Sequence, residues 1–285
     1  MPSLLLRMFG HAEIHDGVEV LDVGTGCGYG AALLARRLGD DRVTSVDVDP
    51  YLTKAAAERL DLIGLHPRIV TADATGPLTG EYDRIVATVS VRPIPPSWLQ
   101  VLRPGGRLVT TIANTTIIVV ADKTPDGGAA GRVMWDRAGF MRTRHGDDYP
   151  PDELADRFRE IHDREGDEVT RGRYPVVEVA EAWELQSMLE VVAPGIEHWY
   201  DEDDAGRRTA LMVHPDGSWA RATAMRDEAP IVHQGGPRRL WDLLDRIRHR
   251  RLVEGSLPLY GSRVRITPDG VIHLRRGRWT AVIGP

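Results

Sequence analysis

Between Val18 and Ile112 the chain repeats strand, turn and helix, and the first repeat contains the stretch LDVGTGCGYG (21–30), with glycines alternating at Gly24, Gly26 and Gly28. Val18–Val23 is a short apolar run of the kind found in strands buried on both faces. AALLARRL (31–38) reads as a helix packed through its alanines and leucines. Arg42–Val48 is the next strand. Asp49 is placed to cap the following helix, with Pro50 at its first position and a stop near Gly64. Arg68–Thr71, Tyr82–Val89 and Arg107–Ile112 complete the strands, with a short helix over 95–102 before the turn Arg103-Pro104-Gly105-Gly106. Strands alternating with helices at this spacing predict an α/β fold, a parallel sheet covered on both faces.

After Ile112 the pattern changes. Thr115–Ala121 and Arg132–Trp135 are β-rich and flank DKTPDGG, which predicts an antiparallel hairpin at the edge of the parallel sheet. Segments 152–165 and 178–192 read as helices. Strands follow near 209–213 and 218–223, then a helix at 237–251 and a final hairpin turning at Thr267–Gly270. The expected organisation is therefore a main domain over 1–150, an acidic helical connector over 151–205 and a smaller α+β domain over 206–285.

With 42% hydrophobic and 27% charged residues, the composition is that of an ordinary globular chain, which sets aside intrinsic disorder. No run of about 18 apolar residues predicts a membrane helix, and the N-terminal stretch lacks a secretory cleavage pattern. The single cysteine, Cys27, excludes an intrachain disulfide and a cysteine-cluster metal site. A cytoplasmic location is the expectation. A net charge of −6 lends no support to a nucleic-acid or membrane partner. Charge is nevertheless uneven, with acids gathered over 152–204 and arginines over 238–278. His145, His162, His198, His214 and His233 show no metal-ligand spacing, so no metal is expected.

The glycine turn admits two cofactor classes. A dinucleotide site wants G-x-G-x-x-G, so that a pyrophosphate can rest on the helix N-terminus. Here Tyr29 stands at the third glycine position, and the glycines follow G-x-G-x-G after a strand carrying Asp22. S-adenosyl-L-methionine suits this pattern better, because it has no pyrophosphate and carries an ammonium that a carboxylate attracts. Asp47, at the end of the second strand, could accept both ribose hydroxyls, although NAD sites use an acid at a similar spacing. Asp73, after the third strand, lies where an adenine amino group would sit; a simple turn former is the competing reading. Asp49 reads as a cap and Cys27 as a small loop residue.

These residues resemble a known family. VEVLDVGTGCGYGAALLARRLG, VTSVDVDP, YDRIVATVSV and IPPSWLQVLRPGGRLVTTI together are similar to the protein-L-isoaspartate O-methyltransferase family over residues 2 to 145. The resemblance implies a Rossmann-like class I methyltransferase sheet with an antiparallel edge hairpin. It also implies a cofactor site of Asp22, Gly24, Thr25, Gly26, Gly28, Tyr29, Asp47, Val48, Asp73 and Ala74. S-adenosyl-L-homocysteine would be the product. Ser3, Val89 and Arg92 are candidate substrate contacts. The implied activity is methylation of an Asp or isoAsp carboxylate in a peptide or protein, followed by succinimide closure.

Two departures stand out. The family's N-terminal substrate segment, with its hydroxyl residue, has no counterpart ahead of Pro2. The extension over 206–285 is absent from housekeeping repair enzymes and is similar to methyltransferases encoded with lanthipeptides and ATP-grasp-ligated peptides. Peptide maturation is accordingly favoured over repair, with an acidic precursor peptide as the candidate partner of the C-terminal module. A non-catalytic binding module and an NAD-dependent oxidoreductase are the alternatives. No catalytic side chain is singled out, because a carboxylate is already ionised near neutral pH and transfer needs chiefly positioning and desolvation.

Overall fold

The computed structural model describes residues 2–143 and 154–284. It divides into two compact units, Met1–Tyr149 with Pro258–Pro285, and Pro150–Leu257. The first unit opens with α1 (Pro2–His11), β1 (Val20–Val23), α2 (Tyr29–Leu38), β2 (Val43–Asp47), α3 (Pro50–Asp61) and β3 (Arg68–Thr71). It continues with β4 (Tyr82–Val91), α4 (Pro96–Val101), β5 (Leu102–Ile112), β6 (Ile117–Lys123) and β7 (Ala129–Arg137). The second unit holds α5 (Leu154–His162), β8 (Glu168–Arg171), α6 (Trp183–Val192), β9 (Glu197–Glu202), β10 (Arg207–Val213), β11 (Trp219–Met225), β12 (Ile231–Gly235) and α7 (Leu240–Glu254). The chain then returns to the first unit with β13 (Arg263–Ile266), β14 (Ile272–Arg276) and β15 (Trp279–Ile283).

The first unit is built on one ten-stranded sheet in the order β15-β14-β13-β7-β6-β5-β4-β1-β2-β3. Strands β1 to β5 pair in parallel and the remaining pairs are antiparallel. This is the expected Rossmann-like core with its edge hairpin. All four residues of β1 are buried, as a central parallel strand requires. Asp49 caps α3 as read: its Oδ1 accepts the backbone N–H of Tyr51 at 2.9 Å and of Leu52 at 3.4 Å.

Two expectations change. The Arg103–Gly106 turn lies inside β5 as an irregularity, since Tyr82 pairs with Leu102 but Arg84 with Arg107. Gly106 permits it, because a Cβ there would sit 2.8 Å from Leu102 Cδ1 and 3.0 Å from the Asp83 carbonyl. The expected 206–285 domain is split, and 151–205 is no mere connector. β13 pairs with β7, so the last hairpin extends the first sheet and covers what would be an open edge. Its inward residues Val264, Ile266, Ile272, Leu274 and Ile283 are buried. At the hairpin tip, Gly270 is left-handed at φ +89° and its carbonyl accepts the Ile94 N–H at 3.2 Å; a Cβ would collide with the Ile94 carbonyl.

The second unit is a five-stranded antiparallel sheet in the order β8-β12-β11-β10-β9. Ile161 and Phe158 of α5 pack on Leu211, Val213 and Trp219. Buried Gln234 caps α7, accepting the Trp241 N–H at 2.8 Å and donating to Asp242 at 2.9 Å. Segments 168–171, 197–202 and 231–235 are strands that polarity hid in the sequence. Among the described residues, no helix is long and apolar enough to cross a membrane. His145 lies outside the described residues.

Candidate active site

The glycine turn leaves β1 and is held down by β2, the Val46 carbonyl accepting the N–H of Gly24 at 2.8 Å and of Thr25 at 3.3 Å. Gly24 is required twice over. Its φ is +97°, and a Cβ would stand 2.9 Å from Val89 Cγ1 and 3.0 Å from Thr88 Oγ1 at the end of β4. Thr88 Oγ1 in turn donates to the Gly24 carbonyl at 3.0 Å. Gly28 gives α3 its close approach, a Cβ there lying 3.1 Å from Ala56 Cβ. The turn therefore passes tightly between β4 and α3 and leaves a cleft outside the carboxyl ends of β1, β2 and β4, where ligands of open α/β sheets bind.

The cleft is lined on its apolar side by Val23, Val46, Val48, Leu52, Val89 and Met141, and its two carboxylates are Asp47 and Asp73. Asp47 Oδ2 accepts the Gly26 N–H at 2.9 Å and Oδ1 the Asp49 N–H at 3.2 Å. These bonds orient the carboxylate at the strand end and tie it to the glycine turn. Asp73 Oδ1 accepts from Thr75 N–H at 2.8 Å and Thr75 Oγ1 at 2.7 Å, so Asp73 shapes its turn as well as facing the cleft. Fully buried Trp98 donates its Nε1–H to the Ala74 carbonyl at 2.7 Å, fixing that wall from below.

Of the residues expected to hold a cofactor, Gly24, Gly26, Asp47, Val48, Asp73 and Ala74 line the cleft, as does Val89 from the expected substrate contacts. The others do not. Asp22 is 1% exposed and lies beneath the turn, where its Oδ2 accepts from Ser45 Oγ at 2.7 Å. Its Oδ1 is buried without a partner among the described residues. Burial pushes its pKa up to about 7, a rise opposed by the Ser45 bond and reinforced by the charge of Asp47. Direct pairing of Asp22 with a ligand ammonium is thus not what the geometry provides. Thr25 is also beneath the turn, its Oγ1 2.7 Å from Ser45 Oγ. Gly28 serves packing, and Tyr29 opens α2 at 44% exposure. Ser3 is exposed on the first turn of α1 and is not among the described lining residues. Arg92 Nε donates to the Gly284 carbonyl at 3.3 Å, and Arg92 is not among the described lining residues.

Sequence reasoning missed the far wall, Met141, Arg142 and Thr143. Ser90 holds it, its N–H donating to the Met141 carbonyl at 2.9 Å and its carbonyl accepting the Thr143 N–H at 2.9 Å. Ser90 Oγ also donates to the Phe140 carbonyl at 3.0 Å. This wall brings Arg142, the one cationic side chain among the described lining residues, to a cleft otherwise furnished with carboxylates, threonines and apolar groups. Its pairing with β4 spans some fifty residues and leaves no local pattern in the sequence.

Residues 1–136 match the family model of Protein-L-isoaspartate(D-aspartate) O-methyltransferase. Curated relatives include the protein-L-isoaspartate O-methyltransferases of Ignicoccus hospitalis and Anaeromyxobacter dehalogenans. The first is 31% identical over 133 residues and the second 33% identical over 133 residues; each alignment covers 44% of this chain and 63% of the relative. The chain thus spans less than two thirds of these relatives' length. A solved structure of a protein-L-isoaspartate O-methyltransferase superposes with a TM-score of 0.51 at 17% identity, covering 99% of this chain and 80% of that one. That likeness concerns the fold, and it extends through the second unit.

Proposed function

We propose that this chain, whose first half carries the domain of the protein-L-isoaspartate O-methyltransferase family, is an S-adenosyl-L-methionine-dependent carboxyl O-methyltransferase acting on an Asp or isoAsp residue of a peptide or protein. The observation that carries this reading is the cleft itself. Gly24 and Gly26, the carboxylates of Asp47 and Asp73, and Arg142 all line it. The donor set suits the cofactor: Asp47 for a ribose diol, the Asp73–Ala74 turn with Val48 and Leu52 for an adenine ring. Buried Asp22 lies beneath the turn and supports it through its bond from Ser45 rather than by contact with the ligand. When bound, the cofactor supplies a methyl group on a cationic sulfur, and its transfer to a carboxylate oxygen leaves a neutral thioether and a neutral ester.

The chain's own residues then position and desolvate. Arg142 can hold the acceptor carboxylate by charge-assisted hydrogen bonds. Val89 and Met141 present apolar side chains beside it, which would strengthen that attraction where a bound peptide covers them. The described lining residues include no histidine or cysteine, and none is needed for an acceptor that is ionised near neutral pH. The next backbone amide nitrogen can then attack the ester carbonyl and expel methanol, closing a succinimide without further catalysis.

Two settings fit this chemistry, repair of isoaspartyl damage and maturation of a peptide at Asp. The segment after 206 spoke for maturation, but the solved structure that spans 99% of this chain has the repair family's name, so the extension does not separate the two. The acceptor does. Mass spectrometry of paired Asp and isoAsp peptides, linear and constrained, with the methyl donor is the test. Methyl gain on isoAsp alone supports repair; methyl gain on Asp followed by loss of methanol, a net loss of water from the starting peptide, supports maturation. Tighter binding of NAD than of S-adenosyl-L-homocysteine would overturn the cofactor assignment.

A further inference from the structure

The arginine-rich helix α7 looks in the sequence like a docking element, but its charges are largely taken up within its own unit. Arg239 pairs with Glu168 at 2.8 Å, Arg251 with Glu184 at 2.5 Å and Arg250 with Glu254 at 3.0 Å. The last three strands of the first unit differ. Arg263 of β13 lies directly opposite Arg132 of β7 on one side and Arg275 of β14 on the other. All three are exposed and share one face, because their register neighbours Gly131, Val264 and Leu274 turn to the other face, where Val264 and Leu274 are buried. In the adjacent row, Arg265 lies opposite exposed His273.

Like charges placed directly across a ladder repel, since their Cβ atoms are only about 4.5–5.5 Å apart. The nearby acids do not relieve this row. Asp122 is engaged by Arg107 at 2.6 Å, Asp126 by Arg265 at 3.0 Å, and Asp136 by His11 at 2.8 Å. Arg132, Arg263 and Arg275 have no hydrogen-bond or ion-pair partner among the described residues. Three guanidinium groups thus form a band across adjacent strands spaced about 4.8 Å apart, on a chain whose net charge is −6. A local arrangement that works against stability, with nothing in the described structure to offset it, marks a surface made for a ligand.

We propose that Arg132, Arg263 and Arg275 form a docking surface for a short acidic segment of the peptide or protein substrate. The identity of the partner as substrate rests on the methyltransferase reading; the anion-binding character of the surface does not. A short acidic segment fits better than a nucleic acid. A long polyanion would carry its charge past the band onto a chain of net negative charge, whereas a few carboxylates meet only the arginines.

The test is fluorescence anisotropy with two labelled isoAsp peptides, one carrying a tract of four acidic residues and the other the same tract as Gln and Asn. The wild-type protein should prefer the acidic peptide by about tenfold in 50 mM salt, as three exposed ion pairs allow, with most of that preference lost in 200 mM salt. R132Q/R263Q/R275Q should lose the preference, keep its kcat/KM on the uncharged peptide within about twofold, and melt no lower than wild type. An unchanged preference in the triple variant would overturn the proposal. So would an oligodeoxynucleotide of equal charge binding as tightly as the acidic peptide. A wild-type protein that prefers the acidic peptide but methylates neither would refute the methyltransferase reading and leave the anion surface standing.

Discussion

Replacing Asp22 by Asn should stabilise the first unit at alkaline pH, although Asp22 sits in the motif that most resembles a cofactor site. The carboxyl group is 1% exposed, with one oxygen bonded to Ser45 and the other unpartnered among the described residues. Burial lifts its pKa from 3.8 to about 7. An acid raised on folding is held protonated in the native state while the unfolded chain ionises. Stability therefore falls as pH rises from about 4 to about 7 and stays lowered above that. At 1.36 kcal/mol per pH unit this interval is worth roughly 4 kcal/mol; with relaxation around the charge, about 2–4 kcal/mol is the expected size. Asn has the shape of the protonated acid and its donor, and cannot ionise. D22N should match wild type near pH 4 and exceed it by about 2–4 kcal/mol at pH 8. Denaturant-dependent hydrogen exchange of the β1 amides measures this within the first unit. A variant as stable as wild type at pH 8, or a difference that does not change with pH, would refute a buried carboxyl forced to ionise.

Other perturbations separate the parts of the site. G24A places a Cβ 2.9 Å from Val89 at a left-handed backbone position, and should weaken S-adenosyl-L-homocysteine binding at least tenfold by calorimetry, at a backbone cost of about 1–2 kcal/mol. R142Q should raise KM for an isoAsp peptide about tenfold or more while cofactor affinity stays level; equal KM values would remove Arg142 from the acceptor site. W98F deletes the buried bond to Ala74 and should cost about 1–3 kcal/mol in unfolding measurements. In the second unit, burial pushes His198 down to about 4. The unfolded chain takes up that proton first, so this unit should lose stability as pH falls from about 6.5 toward 4. H198Q should flatten that loss in hydrogen exchange of β9 and β10.

Much of the first unit is legible in the sequence because its signals are local. β3 occupies 68–71 as read, Asp49 caps α3, and the glycine spacing marks a left-handed turn at Gly24. The spacing of Asp47 and Asp73 from the turn also brings both carboxylates to one cleft. What was not legible depends on long-range pairing. Nothing local in 140–143 announces that Ser90 will hold it against β4. The R-V-R-I and I-H-L-R alternation predicts strands but not that they return to β7 across a whole second unit. Asp22 and Arg92 have partners that the sequence does not announce. Each has the right chemistry for a ligand, yet Asp22 is sealed under the turn and Arg92 is directed to the Gly284 carbonyl.

The most direct measurement is methyl transfer by the full chain from the isotope-labelled donor to a matched pair of Asp and isoAsp peptides, read by mass spectrometry beside D47A. The account predicts one labelled methyl on a carboxylate of at least one peptide, and with D47A a rate at least tenfold lower at limiting donor, because a ribose-binding carboxylate is lost. No label on any carboxylate, or a D47A variant that transfers as fast as wild type, would contradict it.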